Sequence, residues 1–192
     1  ALVPGDCLRH VARPVLAVSG AACLIRREVF ERVGGFEESF FAYLEDVDFC
    51  LRAQLAGFRA RYVPEAIAWH QGSASTGGEG DLDPRVATWL TAHQLLLAAR
   101  YVRRGALALL LPRVLLAQAL WAARLVFRGR ALAWLRGLAL AARLQGRVRV
   151  WKFPPGAGPG RLVQLLRASE TQIHADRGAA DFFWRAYFWA FP

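Results

Sequence analysis

Glu45-Asp46-Val47-Asp48-Phe49-Cys50-Leu51-Arg52 is the stretch on which the reading of this chain turns. Three acids fall within four residues, directly after the aromatic run Phe40-Phe41-Ala42-Tyr43-Leu44. An apolar pattern at helical spacing follows, with Val47, Cys50, Leu51 and Leu55 on the inward side, and Gly57 ends it. This predicts a helix from about Glu45 to Ala56 with the acids in its first turn, where free backbone N–H groups and the helix dipole favour negative charge.

The flanks predict short elements around that helix. Val15-Leu16-Ala17-Val18 reads as a buried strand, and Ser19-Gly20-Ala21-Ala22 as a small-residue turn that lets a backbone or ligand come close. Cys23 to Arg26 continues the extended pattern. Arg27 to Val33 reads as a short helix with Val29, Phe30 and Val33 on one face, a Glu28–Arg32 pair at i,i+4, and Gly34 as its left-handed stop. Downstream, Phe58 to Val63 alternates with period two, and Ala66-Ile67-Ala68-Trp69-His70 reads as a second strand that delivers His70 to its end. Residues 71–83 are a Gly/Ser/Thr/Asp loop.

The character changes at Pro84. Of the 192 residues, 1–84 carry 8 arginines against 12 acids, a net −4, while 85–192 carry 17 Lys/Arg against 3 acids, a net +14. Between Arg85 and Lys152 there are 13 basic residues and no acid. The chain therefore divides into 1–84, a basic helical region 85–152, and 153–192, which holds a Pro/Gly linker, an amphipathic helix from Leu162 to Ala175 and an aromatic tail. Val86 to Val102 reads as a helix. Gly105 to Phe127 is nearly all Leu, Ala and Val but is broken by Pro112-Arg113, so an interfacial helix is favoured over a spanning one. At helical rotation Arg113, Arg124, Arg128, Arg136 and Arg143 fall on one side, opposite a Leu/Ala/Trp face, with Gly129 and Gly137 as candidate breaks. Such a segment points to an anionic membrane surface. Its arginines are interleaved with Leu and Ala rather than with base-reading polar and aromatic residues, which excludes nucleic acid as a partner. Cys7, Cys23 and Cys50 lack metal-ligand spacing, and Cys23 and Cys50 read as buried reduced thiols. Oligomeric state is not legible.

On pattern alone, helix capping is the simpler reading of Glu45 and Asp46, and a structural role the simpler reading of His70. The whole string changes both. Ser19-Gly20-Ala21, Ile25-Arg26-Arg27-Glu28-Val29-Phe30, Val33-Gly34-Gly35-Phe36-Glu37-Glu38, Phe41, Tyr43, Glu45-Asp46-Val47-Asp48, Arg52, Gly57, Tyr62-Val63-Pro64-Glu65-Ala66 and His70 together resemble the family 2 glycosyltransferases, most closely their rhamnosyltransferase and galactofuranosyltransferase branch. The resemblance covers about residues 15–76. It implies an α/β fold, the C-terminal half of a GT-A (Rossmann-like) domain, followed by amphipathic membrane-associated helices. It implies inverting transfer of a sugar from a nucleotide-sugar to a glycan or lipid-linked acceptor in cell-envelope polysaccharide synthesis. By that resemblance Asp46 is the catalytic base, Glu45 supports it and contacts the acceptor, and His70 ligates a divalent cation (Mn²⁺ or Mg²⁺). Gly20 and Ala21 would line the donor sugar pocket, and Gly35 and Phe36 the acceptor side. Arg52 would orient the carboxylates or a phosphate, or else form a plain salt bridge. Asp48 reads as structural.

The departure from the family pattern is that no Asp-x-Asp precedes Ser19; Asp46-Val47-Asp48 has that spacing but lies within the base motif. The expectation is a C-terminal part of a longer enzyme, inactive alone and peripheral at the cytoplasmic face of a bacterial membrane. The alternative is a non-catalytic membrane-tethering or sugar-binding module of the same ancestry.

Overall fold

The computed structural model describes residues 10–70, 83–101, 104–177 and 182–191, with side chains at 104–109, 176, 177 and 182 not described. The predicted loop over 71–83, except Asp83, and Cys7 lie outside the described residues. Two strands, β1 (Arg13–Val15) and β2 (Ala60–Tyr62), and seven helices make up the described elements: α1 (Arg27–Val33), α2 (Glu45–Leu55), α3 (Pro84–Tyr101), α4 (Arg104–Phe127), α5 (Ala131–Leu144), α6 (Pro159–Arg177) and α7 (Phe182–Ala190).

The predicted acidic helix is α2, and it is buried on every side from Asp48 to Leu55. Phe49 and Ala53 pack on Val29 and Val33 of α1. Leu51 and Leu55 join Tyr101, Leu110, Leu162, Val163 and Leu165 in a second cluster drawn from α3, α4 and α6. Burying each of those leucines contributes about 1.5–3 kcal/mol. Asp48 and Arg52 lie between the two clusters. The first half of the chain and the later helices therefore share one core around α2.

α1 ends as the sequence predicts: Gly34 has φ +81° and its N–H donates to Phe30 O at 2.8 Å. The Glu28–Arg32 pair is not formed; Glu28 meets Arg26 at 2.8 Å instead, with both side chains exposed. The alternating 58–63 segment supplies β2, which pairs antiparallel with β1 in the register Arg13↔Tyr62, Pro14↔Arg61, Val15↔Ala60. Gln54 Nε2 donates to Val15 O at 2.8 Å and Leu16 O at 2.7 Å, which ties α2 to the end of β1.

Three strand expectations fail. The first predicted strand starts earlier and ends at Val15, and Cys23 to Arg26 joins no sheet. Cys23 is exposed, whereas Cys50 is buried as expected. Ala66 to His70 is irregular and exposed, with Ile67 78% and Trp69 98% accessible. A strand needs a hydrogen-bonded neighbour, and no described segment pairs with this one.

The helical half corrects the predicted arginine face. Gly129, at φ +69°, breaks α4 from α5, so Arg113 and Arg124 belong to one helix and Arg136 and Arg143 to another. Arg113 turns toward α6 and α7: its Nε lies 3.4 Å from Glu170 and its guanidinium 4.4 Å from the Phe191 ring. Leu111, Leu115, Val126 and Phe127 are the exposed large apolar side chains of α4 among the described residues. Leu111, Leu115 and Val126 span only about 60° of rotation. Within α4 Arg113 thus turns toward the fold and an apolar stripe faces out, the reverse of the expectation, while Arg128, Arg136 and Arg143 are exposed. Among the described residues, Leu110–Phe127 is the one helical segment long and apolar enough to cross a membrane by length and composition, and 17% of it is buried.

Gly137 does not break α5. A Cβ there would lie 2.5 Å from Thr91 Cβ and 2.8 Å from Thr88 O, so α3 and α5 pack backbone against backbone at this point. Trp121 Nε1 donates to Thr91 Oγ1 at 2.9 Å beside the contact. Overpacking costs about 1–3 kcal/mol, so Gly137→Val is expected to lower the melting temperature by about 5 °C or more. An unchanged melting temperature would contradict this packing.

Candidate active site

The acidic turn is held by a strained entry. Tyr43 and Leu44 have φ +68° and +71°. Two consecutive left-handed residues with side chains cost about 1–3 kcal/mol each and persist only where their surroundings enforce them. Here α3 enforces them. His93, 1% exposed, places Nδ1 2.8 Å from Tyr43 O; since the partner is a carbonyl, this nitrogen carries the hydrogen. Phe40 packs edge-on to the His93 ring at 5.3 Å, and Trp89 lies 5.5 Å from Phe41 and 6.2 Å from Tyr43. Burial pushes the His93 pKa down, against the Tyr43 and Ala42 carbonyls, which act to raise it.

The turn presents Glu45 and Asp46 on the first two helical positions, both half-buried. Asp46 Oδ2 accepts the Gly20 N–H at 2.9 Å, and Oδ1 accepts the Val47 N–H at 2.8 Å. These donors fix the carboxylate plane and leave each oxygen a further lone pair. Gly20 runs directly against the pair: a Cβ there would sit 3.5 Å from Asp46 Cβ and 3.9 Å from Glu45 Oε1. Ala21 is exposed in the same turn, its N–H donating to Ser19 Oγ at 3.3 Å. Burial and then the Asp46 charge push the Glu45 pKa up, opposed by a backbone hydrogen bond. Glu45 Oε2 is buried with no hydrogen-bond partner among the described residues, an acceptor atom that a bound hydroxyl would satisfy.

The structure brings Gly20 and Ala21 to Glu45 and Asp46, but it places Gly35, Phe36 and Arg52 elsewhere. Arg52 is 3% exposed with every guanidinium nitrogen engaged: Nε with Asp48 Oδ2 at 2.8 Å, Nη1 with Val33 O at 2.6 Å and Nη2 with Gly35 O at 2.8 Å. It ties α2 to the Gly34-Gly35 turn. The Phe36 ring lies 5.0 Å from Phe49. Both Gly35 and Phe36 line a cleft of about 810 Å³ between the 33–41 segment, α3, α5 and residues 147–151. His70 is exposed in the irregular 63–70 segment and makes no hydrogen bond or ion pair among the described residues.

Sequence reasoning missed the partners of Asp48. This carboxylate is fully buried; Tyr101 Oη donates to its Oδ1 at 2.7 Å, and Arg100 Nε lies 2.8 Å from the same oxygen, close enough for ion pairing but not aligned as a hydrogen bond. Arg100 Nη1 also donates to Glu37 at 2.8 Å. Burial would push Glu37 up, but Arg100 and Ser39 hold its pKa below the usual value. Burial and then Asp48 push the Tyr101 phenol far up. The i,i+4 spacing of Asp48 and Arg52 in α2 is the signal that was available; nothing local pointed to Arg100 or Tyr101.

A half-buried Glu–Asp pair at a helix start, clamped by a small-residue turn and carrying an unsatisfied acceptor, has the chemistry to accept a hydrogen bond or a proton from a hydroxyl. The chain belongs to the glycosyl transferase family group 2, whose sequence profile matches residues 6–153. It is 46% identical over 81 residues to the N-acetylglucosaminyl-diphospho-decaprenol L-rhamnosyltransferase of Mycobacterium tuberculosis, covering 42% of this chain and 24% of that protein. It is 48% identical over 52 residues to the rhamnosyltransferase WbbL of Escherichia coli (27% and 20% of the two chains), and 42% identical over 52 residues to the low-salt glycan biosynthesis hexosyltransferase Agl10 of Haloferax volcanii (27% and 16%). The matched part of the chain thus spans about a quarter or less of each of these relatives' length. No solved structure matches the chain significantly. Membership implies a GT-A fold, of which the described residues show a mostly helical part with a small sheet.

Family 2 members generally use a divalent cation. Among the described residues no three His, Cys, Asp or Glu side chains cluster as cation ligands. His70 is at most one ligand of such a site, and the described residues do not complete it.

Proposed function

We propose that this chain is the acceptor-side part of an inverting, rhamnosyltransferase-like enzyme that moves a sugar from a nucleotide-sugar to a hydroxyl of a glycan or lipid-linked acceptor in cell-envelope polysaccharide synthesis. The observation that carries this is the clamped Asp46 carboxylate beside the unpartnered Glu45 Oε2. Asp46 takes the acceptor proton as the acceptor oxygen attacks the anomeric carbon, on the face opposite the departing nucleoside diphosphate. Glu45 accepts a hydrogen bond from the acceptor and holds it in line. Gly20 and Ala21, against the pair, border the donor sugar. His70 is the described residue that would ligate the family's divalent cation.

Leu24 is fully exposed, and with Ile67 and Trp69 it leaves apolar surface open on this half. That fits a nucleotide-binding portion, outside the described residues, covering it, and a chain that does not turn over alone. The outward apolar stripe of α4, with exposed Arg128, Arg136 and Arg143 nearby in the chain, fits the cytoplasmic face of a bacterial membrane. Each such arginine near an anionic leaflet contributes about 1 kcal/mol. The alternative reading is a non-catalytic tethering or sugar-binding module of the same ancestry.

The test is transfer by the native-length gene product in bacterial membranes, using labelled nucleotide-sugars, a nucleotide-rhamnose among them. The expected result is cation-dependent label in the lipid or glycan fraction. Donor binding with no transfer to any acceptor would establish the module reading instead.

A further inference from the structure

The cleft lined by Gly35 and Phe36 carries chemistry that the base and donor turn leave unused. Arg147 and Arg149 line it, both exposed and neither holding a side-chain hydrogen bond or ion pair among the described residues. Their backbone is fixed: Arg100 Nη1 donates to Arg149 O at 2.8 Å, and the Trp151 N–H donates to Arg100 O at 3.3 Å. Arg100 is itself 5% exposed and pinned by Glu37 and Asp48. The two free guanidinium groups are thus mounted on a rigid strap rather than on a loose tail. Phe41, Trp89 and Trp151 offer aromatic surface in the same cleft. Glu38 is an exposed acid on its wall, while Glu37 is spent on Arg100.

Paired guanidinium groups suit a phosphate or diphosphate. Aromatic surface suits the apolar face of a sugar ring, and a lone carboxylate suits its hydroxyls. The volume of about 810 Å³ is that of a small-molecule site. The wall formed by residues 35–41 continues through the strained Tyr43-Leu44 pair into Glu45, so a ligand here lies along the segment that sets the base.

We propose that this cleft binds the acceptor as a glycosyl diphosphate, with Arg147 and Arg149 on the diphosphate and the aromatic wall on the sugar. The proposal rests on the transferase reading for its ligand, but the anion site is testable without it.

Inorganic pyrophosphate is titrated into the full chain and followed by calorimetry and tryptophan fluorescence, to which Trp89 and Trp151 report. Arg147→Glu/Arg149→Glu is expected to weaken binding by about a hundredfold. Arg136→Glu/Arg143→Glu removes two exposed arginines of α5 that do not line the cleft, and it should leave binding within about twofold. Equal losses in both variants, or no binding to the wild type, would overturn the site. In the native-length enzyme the cleft variant should raise KM for a lipid-diphosphate-linked acceptor and leave KM for the nucleotide-sugar unchanged. The opposite split would assign the arginines to the donor diphosphate and overturn the acceptor assignment. Cleft-dependent pyrophosphate binding in a protein with no transfer activity would uphold the anion site and remove the transferase reading alone.

Discussion

Asp46→Asn in the native-length protein is expected to lower sugar transfer by roughly 10²–10⁴-fold, the usual contribution of a positioned general base. The substitution keeps one carbonyl oxygen, enough for the Gly20 N–H, but sets an NH2 that cannot accept beside the Val47 N–H, a loss of about 1 kcal/mol that leaves the chain folded. The loss should fall on kcat, with KM for donor and acceptor little changed and the melting temperature lowered by no more than about 4 °C. Glu45→Gln is the informative companion. It removes the raised-pKa acid but keeps a carbonyl oxygen near the position of the unpartnered Oε2. It should cost less, and mostly in acceptor KM. A variant at Asp46 that keeps a rate within about threefold of wild type would place the base elsewhere.

The second large effect concerns stability. Asp48→Ala leaves Arg52 and Arg100 buried beside a missing carboxylate, with 3% and 5% exposure. Removing one partner of a buried charge network costs about 3–5 kcal/mol. The melting temperature should fall by about 10 °C or more. Tyr101→Phe deletes only the hydroxyl bonded to Asp48 and should cost about 1 kcal/mol. Urea unfolding of both variants checks the ranking. If Asp48→Ala cost no more than Tyr101→Phe, the network would not be what joins α2 to α3.

The contrast between Asp46 and Asp48 shows where the sequence is informative. Both acids are legible as members of a helix start, because helix periodicity, an acidic first turn and a glycine stop are local signals. The ends of α1 and the alternation behind β2 are local in the same way. Beyond Arg52, what Asp48 touches is not local: Arg100 and Tyr101 lie more than fifty positions away, and no spacing rule links them. The same gap explains Ala66 to His70, whose apolar composition suits a strand but which has no described neighbour to pair with. It also explains the arginines of α4. Their rotation about the helix is legible, but the inward turn of Arg113 depends on Glu170 and Phe191, which the helix pattern does not contain.

At the site, the family resemblance brought Gly20, Ala21, Glu45 and Asp46 to one place, and the geometry adds what holds them there. The left-handed Tyr43-Leu44 pair has no glycine to announce it, and its support from His93 and Trp89 comes from across the fold. Arg52 is buried as an internal tie between α2 and the Gly34-Gly35 turn.

The most direct measurement is the anomeric configuration of the product, read by nuclear magnetic resonance after transfer by the native-length protein from a nucleotide-sugar of known anomer. A single base at Asp46, acting in one displacement, predicts a product of the opposite configuration to the donor. Retention of configuration would contradict the account, because it would require a second displacement and a covalent or front-face step for which the Glu45–Asp46 turn would not be the base.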